Sequence, residues 1–400
     1  MALLTPEPFN VVIYCPDRHI QYDGYTSDRS GIGGGVTARI RMARALARAG
    51  HTVRMLANCP AAEMIEGVFY LPLGSLGQLQ ADIFIANSSG GDYDLGPLKA
   101  IWLRARLRIL LLSGTEPPRG LEHQPFDELY VVSNFIADVA RTWNLVQGPP
   151  YVSYNGFEEK LFRRIDGINN DPFRICYCSH PSKGLAPALG VLRRLRAIDQ
   201  RYTLHVYGGH QLWGEPAGKR LLEIGVTDHG LVGQAALADA LQACGYSLHL
   251  QHRLEPFGMV VTESMRAGCL PVASPVGAYQ ELIRSGIDGL LVQGDPGQEE
   301  TLERAARDIH RLNSLPSKRR EMAAEARRIP WNSDLMARSW ISHWRWIFSG
   351  RPEAGLLGNG LCADCGGHRL ALPDGLHCIS CGRYQRSPSS VFSAAQASPI

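Results

Sequence analysis

Short apolar bursts alternate with longer stretches in which apolar residues recur at helical spacing. The first burst is residues 9–14. A polar loop follows, then glycines at 31–35, then positions spaced for a helix that runs to about Ala49. Gly50 stops that helix, and residues 51–56 read as the next strand. Further strands are expected at 82–86, 108–112 and 128–132, after which Ser133 caps a helix beginning at Asn134. Pro149, Pro150 and a polar stretch at 166–171 interrupt the pattern, and it restarts with strands at 173–178, 203–207, 247–250 and 270–273. Strands alternating with helices in this way build parallel, doubly wound sheets, so the fold class is α/β with two wound halves.

Beyond them, residues 331–349 form a Trp-rich amphipathic stretch carrying Trp331, Trp340, Trp344 and Trp346. Residues 350–355 read as a linker, and the Ser-, Ala- and Pro-rich stretch 387–400 is expected to be disordered. A chain of 400 residues is long for a single core, which agrees with two large domains and a small extra module. Apolar residues at 45% and charged residues at 20% are globular proportions.

Net charge is only +3, so nothing in the balance demands nucleic acid. Arginine nevertheless recurs along one helix, at Arg39, Arg41, Arg44 and Arg48. The expected reading is a solvated helix face, with an anion-facing patch as the alternative. Cys15, Cys59, Cys176, Cys178, Cys244 and Cys269 lie scattered in apolar segments and read as reduced core residues. The first residues have neither the basic start nor the apolar core of a signal peptide, and no apolar run is long enough to cross a bilayer. A cytoplasmic protein is expected, with peripheral membrane association as a variant.

Near the end, Cys362 and Cys365 form one Cys-x-x-Cys pair and Cys378 and Cys381 a second, twelve residues on. Four thiolates on two tight knuckles satisfy tetrahedral zinc and leave no open coordination position. One structural zinc per chain is expected, in a zinc ribbon over 358–386, with His368 and His377 as competing ligands. A module this small needs metal to fold. It offers a protein partner a docking site, whereas its few basic residues are thin for nucleic acid.

The chemistry points upstream. Gly31, Gly33, Gly34 and Gly35 open a helix after a strand, where unpaired N–H groups can meet an anion, although a plain turn uses glycine equally well. Lys183 follows the first strand of the second half, at the sheet edge where ligands bind, and Gly208 ends the neighbouring strand. Lys183 could equally be a surface charge. Glu255 and Glu263 are separated by seven residues, with Pro256 expected at a first helical turn and Gly258 admitting close backbone approach. Glu263 falls among Val260, Val261 and Met265, where a carboxylate needs hydrogen-bond donors. Sugar hydroxyls would serve, and so would backbone amides.

This stretch resembles the retaining GT-B glycosyltransferases of family 4, whose signature is two glutamates seven residues apart. The likeness extends through 268–277, Glu281 and 286–292, and reaches back more loosely to the glycine loop and forward to 331–348. It implies two Rossmann-like domains facing a cleft, at 9–155 on the acceptor side and 172–330 on the nucleotide-sugar side, with 331–349 crossing back. It also implies a nucleoside-diphosphate sugar donor and transfer with retention to a glycan, lipid, protein or small-molecule acceptor, a hexosyltransferase with no active-site metal. By position, Glu263 would bind ribose, Glu255 and Lys183 would carry catalysis, and Gly34, Gly35, Gly208, Gly233, Gln234 and Gly258 would line the donor site. Family members commonly carry an arginine shortly before the lysine. Here the segment reads tyrosine, cysteine, serine, histidine across 177–180, so His180 or Arg253 would assist Lys183. A non-catalytic nucleotide-sugar-binding protein, a zinc-ribbon adaptor and a sugar-nucleotide epimerase are the alternatives.

Overall fold

The computed structural model describes residues 7–75, 77–88, 93–162, 170–349, 357–362, 368–372, 375–378 and 382–386. The first domain is built on a sheet of β1 (Asn10–Tyr14), β2 (Thr52–Ala57), β3 (Glu63–Ile65), β4 (Val68–Pro72), β5 (Gln78–Asn87), β6 (Trp102–Leu112), β7 (Glu128–Val131) and β8 (Tyr151–Val152). Their spatial order is β3-β4-β2-β1-β5-β6-β7-β8, and every pair is parallel except β3 with β4. That hairpin turns on Glu66 and Gly67, both at positive φ, the combination that matches strand twist in a two-residue loop. The short helix α1 (Thr26–Arg29) precedes α2 (Gly34–Arg48), and α3 (Asn134–Ala140) follows β7.

The glycine loop does start a helix, but at Gly34, and no side chain caps the N-terminus of α2. Gly50 ends it at φ 93°, while His51 N–H donates back to the Leu46 carbonyl, the pattern of a glycine C-cap. Ser133 caps α3 as expected, accepting the Ile136 N–H at 3.1 Å.

The second sheet contains β9 (Asp171–Ser179), β10 (Thr203–Gly208), β11 (Val226–Gly230), β12 (Cys244–His249), β13 (Leu270–Ala273) and β14 (Leu290–Leu291), in the all-parallel order β11-β10-β9-β12-β13-β14. Its helices are α4 (Leu185–Ile198), α5 (Gln234–Ala243), α6 (Met259–Ala267), α7 (Tyr279–Leu282), α8 (Glu299–Asn313) and α9 (Pro316–Ala326). The strand order reverses beside β9, and that topological switch is where such sheets open a crevice. Pro256 lies outside α6, which begins at Met259 after Gly258 adopts φ 97°. The expected first-turn proline is therefore displaced toward the cleft, where its carbonyl accepts the Ser133 hydroxyl of the first domain.

The chain passes between domains twice, and the two passages are bonded side by side. Phe157 N–H donates to the Trp331 carbonyl at 3.0 Å, and Ser333 N–H donates to the Phe157 carbonyl at 2.9 Å. Helix α10 (Ser333–Ser349) then returns to the first domain, packing on α2 and burying Trp340 and Trp344.

The C-terminal module has four antiparallel strands, β15 (Leu357–Leu361), β16 (His368–Leu372), β17 (Gly375–Cys378) and β18 (Tyr384–Arg386). The sequence suggests a tethered unit, but the described part is docked. The Tyr384 ring meets Trp331 edge-on at 5.1 Å, and His377 Nδ1 lies 3.2 Å from the Ser339 hydroxyl of α10. Gly382, at φ 70°, lies so close to the first domain that a Cβ there would come within 2.0 Å of the Val152 carbonyl. Cys362 and Cys378 are buried together in a small core of their own. Cys365 and Cys381, the whole of the expected linker and the tail after 386 lie outside the described residues. Among the described residues, no helix is long and apolar enough to cross a membrane.

Candidate functional site

A cleft of about 840 Å³ lies between the two domains. Its floor on the second domain is formed by the carboxyl ends of β9, β10 and β12 and by the start of α6. The glycine loop and the turn after β1 form the opposite wall. Lys183, Gly208, Gln234, Glu255, Gly258, Glu263, Gly34 and Gly35 all line it, and Gly233 immediately precedes Gln234.

Lys183 reaches the cleft because Gly184 bends the chain at φ 109°, and a Cβ there would come within 2.1 Å of the Leu250 carbonyl. Its ammonium lies 2.8 Å from Glu255 Oε2. Gln251 donates to the same oxygen at 3.3 Å. Burial pushes the Glu255 carboxyl up most strongly, but the Lys183 charge together with the hydrogen bonds from Lys183 and Gln251 outweighs it and holds the group below its ordinary value. Beside this pair, burial pushes His249 down to about 4, so its ring is neutral.

The amino termini of α2 and α6 both open on the cleft, where their unpaired N–H groups favour an anion. Gly34 packs on Met259 of α6, so a Cβ there would lie 3.2 Å from the Met259 side chain. A Cβ on Gly233 would lie 1.9 Å from the Asp28 carbonyl, so this glycine is where the backbones of the two domains touch.

Glu263 sits one turn into α6, and its partner comes from the other domain. Arg41 Nη2 of α2 lies 2.7 Å from Glu263 Oε1 and also donates to the Gln234 side-chain carbonyl. The expectation of a solvated arginine face is overturned here: Arg39, Arg41 and Arg44 are all buried. Arg39 pairs with Asp17 at 2.6 Å, and Arg44 pairs with Asp28 and Glu66 at 2.7 Å each. Only Arg48 is substantially exposed. The acidic partners lie in other segments, so periodicity within the helix carried no sign of them.

The sequence also passed over Trp213. Its indole stacks on the His180 ring at 3.6 Å and 6°, and Arg253 lies over it at 4.9 Å from the ring centroid. Trp213, His180 and Arg253 line the cleft together. Glu281 proves to be a domain connector, accepting the Asn134 and Phe135 N–H groups at the start of α3 at 3.1 and 3.0 Å.

Residues 158–329 match the family described as Glycosyl transferases group 1. The match covers the second domain. Curated relatives include a phosphatidyl-myo-inositol mannosyltransferase of Mycobacterium tuberculosis (strain CDC 1551 / Oshkosh), 28% identical over 186 residues, covering 43% of this chain and 48% of that protein. A D-inositol 3-phosphate glycosyltransferase of Streptomyces griseus is 32% identical over 144 residues, covering 34% of this chain and 29% of that protein. The chain thus spans about half the length of the mycobacterial relative it matches. Among solved structures, Anabaena HepE in complex with UDP and glucose is 18% identical with a TM-score of 0.56, covering 83% of this chain and 98% of that one. A glycosyltransferase from Rickettsia africae is 14% identical with a TM-score of 0.62, covering 86% and 99%. These likenesses establish the two-domain GT-B fold.

Proposed function

We propose that the chain is a retaining glycosyltransferase, of the hexosyltransferase class, that moves a sugar from a nucleoside diphosphate to an acceptor held by the first domain. The observation that carries this reading is the part-buried Lys183–Glu255 pair at the carboxyl edge of the sheet, 2.8 Å apart and facing the start of α6. A leaving diphosphate gains negative charge in the transition state. A lysine and two helix amino termini held in place beforehand stabilise that charge without reorganisation. Lys183 takes the diphosphate, Glu255 meets the donor sugar, and the Gly34 and Gly35 backbone closes the site from the acceptor side. Arg41 engages Glu263 Oε1, so Oε2 is the oxygen we assign to the ribose hydroxyls. Gly233 and Gln234 flank the base, and Gly208 and Gly258 leave room for the donor.

HepE binds UDP and glucose, which makes UDP and UDP-sugars the first donors to try. Calorimetry with UDP on the full chain should show binding that Lys183→Ala weakens by about tenfold or more, the loss of a charge-assisted contact. Equal affinity in the folded variant would overturn the assignment. The acceptor is a glycan, lipid, protein or small molecule, and the protein is cytoplasmic or peripheral at a membrane.

We also propose one structural zinc per chain, on Cys362, Cys365, Cys378 and Cys381. The joint burial of Cys362 and Cys378 supports it, and the metal would supply folding energy to the docked module. The surface of that module is where a protein partner would bind. Elemental analysis of protein purified without chelator tests the metal.

A further inference from the structure

His180, His210 and Glu215 are brought together beside the cleft, which His180 lines, and the donor-binding reading leaves His210 and Glu215 with no role. They are the group of potential metal ligands found among the described residues, with ligand atoms all within 4.8 Å of one another. His180 follows β9. His210 and Glu215 flank the turn after the neighbouring strand β10, so the ends of two adjacent strands supply the set. Gly209 at φ 132° and Gly214 at φ 76° fold that turn back on itself and return Glu215 to His210.

The distances fit a bound ion. Glu215 Oε2 lies 3.0 Å from His210 Nδ1 and 3.4 Å from His180 Nε2. Ligand atoms on a tetrahedral zinc at about 2.0–2.1 Å stand about 3.3 Å apart. His180 is fixed by its stack on Trp213.

A proton can be placed at every stage. Ser182 N–H donates to His180 Nδ1 at 3.2 Å, which leaves Nε2 to hold the proton that Glu215 accepts. With an ion at Nε2 the ring is the Nδ1–H tautomer, so Nδ1 gives up the bond from Ser182 N–H and donates instead to the Ser182 hydroxyl 2.8 Å away, an outer-shell bond of a metal-bound imidazole.

We propose that His180, His210 and Glu215 form a divalent-metal site beside the donor cleft, which His180 lines, and that an ion held there takes a phosphate oxygen of the nucleoside diphosphate. Two imidazoles and one carboxylate suit first-row ions such as zinc or iron(II), and three protein ligands leave coordination positions open. The assignment departs from the expectation of an active centre without metal. It supplies positive charge near Lys183 where the sequence lacks the family's arginine. Its phosphate half rests on the proposed donor site, whereas its metal half stands on the cluster alone.

The test uses the full chain, with zinc as the probe, and the variants His210→Ala and Glu215→Gln, both at partly exposed positions that leave the core intact. Equilibrium dialysis against zinc followed by elemental analysis should give one equivalent more in the parent than in either variant, because the cysteine module is common to all three. Added zinc should then tighten UDP binding by about tenfold in the parent and leave the variants unchanged. Equal zinc content in parent and variants overturns the site. A zinc difference without any effect on UDP affinity overturns its phosphate role. Absence of UDP binding in every protein refutes the donor reading and leaves the metal site standing.

Discussion

The hydroxyl of Tyr154, in the first domain, donates to Glu281 Oε2 of the second at 2.6 Å. The same carboxylate receives the Asn134 side chain at 2.7 Å and two N–H groups at the start of α3. One side chain therefore ties a helix amino terminus and a tyrosine to the opposite domain. Burial, then the Glu281 charge, pushes the Tyr154 phenol well above its ordinary value, so the phenol remains a donor. Tyr154→Phe should cost about 1.5–3 kcal/mol, the usual worth of a bond to a charged group. Glu281→Ala should cost more, since it strands several donors at once. Denaturant titration followed by tryptophan fluorescence checks both, and equal stability in parent and Tyr154→Phe would refute the tie.

Arg41 and Glu263 form a buried pair across the cleft, and removing one partner strands the other. Arg41→Met should destabilise the protein by about 3–5 kcal/mol, the range for a buried charge left unpaired. Adding Glu263→Gln to Arg41→Met should restore most of that loss. A double-mutant cycle in urea measures it, and simple additivity would mean that the two side chains do not interact.

His343 on α10 and His377 of the C-terminal module are both buried where the module meets the first domain. Burial depresses His343 to about 3, with His377 adding to the shift, and depresses His377 to about 4, against an ordinary 6.5. An unfolded chain takes up protons on these rings from about pH 6.5 downward, while the folded chain does not until about pH 4. More protons are bound by the unfolded state in that window, so their contribution to stability falls as pH drops through it. His343→Gln with His377→Gln should therefore show a shallower decline in melting temperature between pH 6.5 and 4.5 than the parent. Parallel declines would contradict the assignment.

Gly382 has no room for a side chain against Val152 and sits at a φ that disfavours one. Gly382→Ala should lift the module off the first domain and expose the face of Trp331 that Tyr384 covers. Protease digestion should then release the C-terminal segment faster than in the parent, with the two large domains intact. Unchanged digestion kinetics would show that the docking survives.

The central strands of both sheets were legible in the sequence because a strand buried on both faces is a continuous apolar run, as in 109–112 and 270–273, whereas β8, β11 and β14 were missed. The β3–β4 hairpin was missed because its turn, Glu66 and Gly67, is not among the strongest hairpin signals and its strands are short. Lys183, Glu255 and Gly258 could be read because strand ends and glycines mark them locally. The burial of Arg39, Arg41 and Arg44 could not, since Asp17, Glu263 and Glu66 meet them only once the chain is folded. His210 and Glu215 carry no signal in sequence at all. Their relation to His180 depends on two neighbouring strands lying in register.

The return of the chain at Trp331 has a consequence for biosynthesis. The first domain is discontinuous: its sheet is complete by Val152, but Trp340 and Trp344 on α10 cover it only after the whole second domain has been made. Domains generally fold as they emerge, amino-terminal first. On the ribosome this one must wait, carrying an apolar surface that only α10 can cover, and the inserted domain reaches its native state before the domain that precedes it.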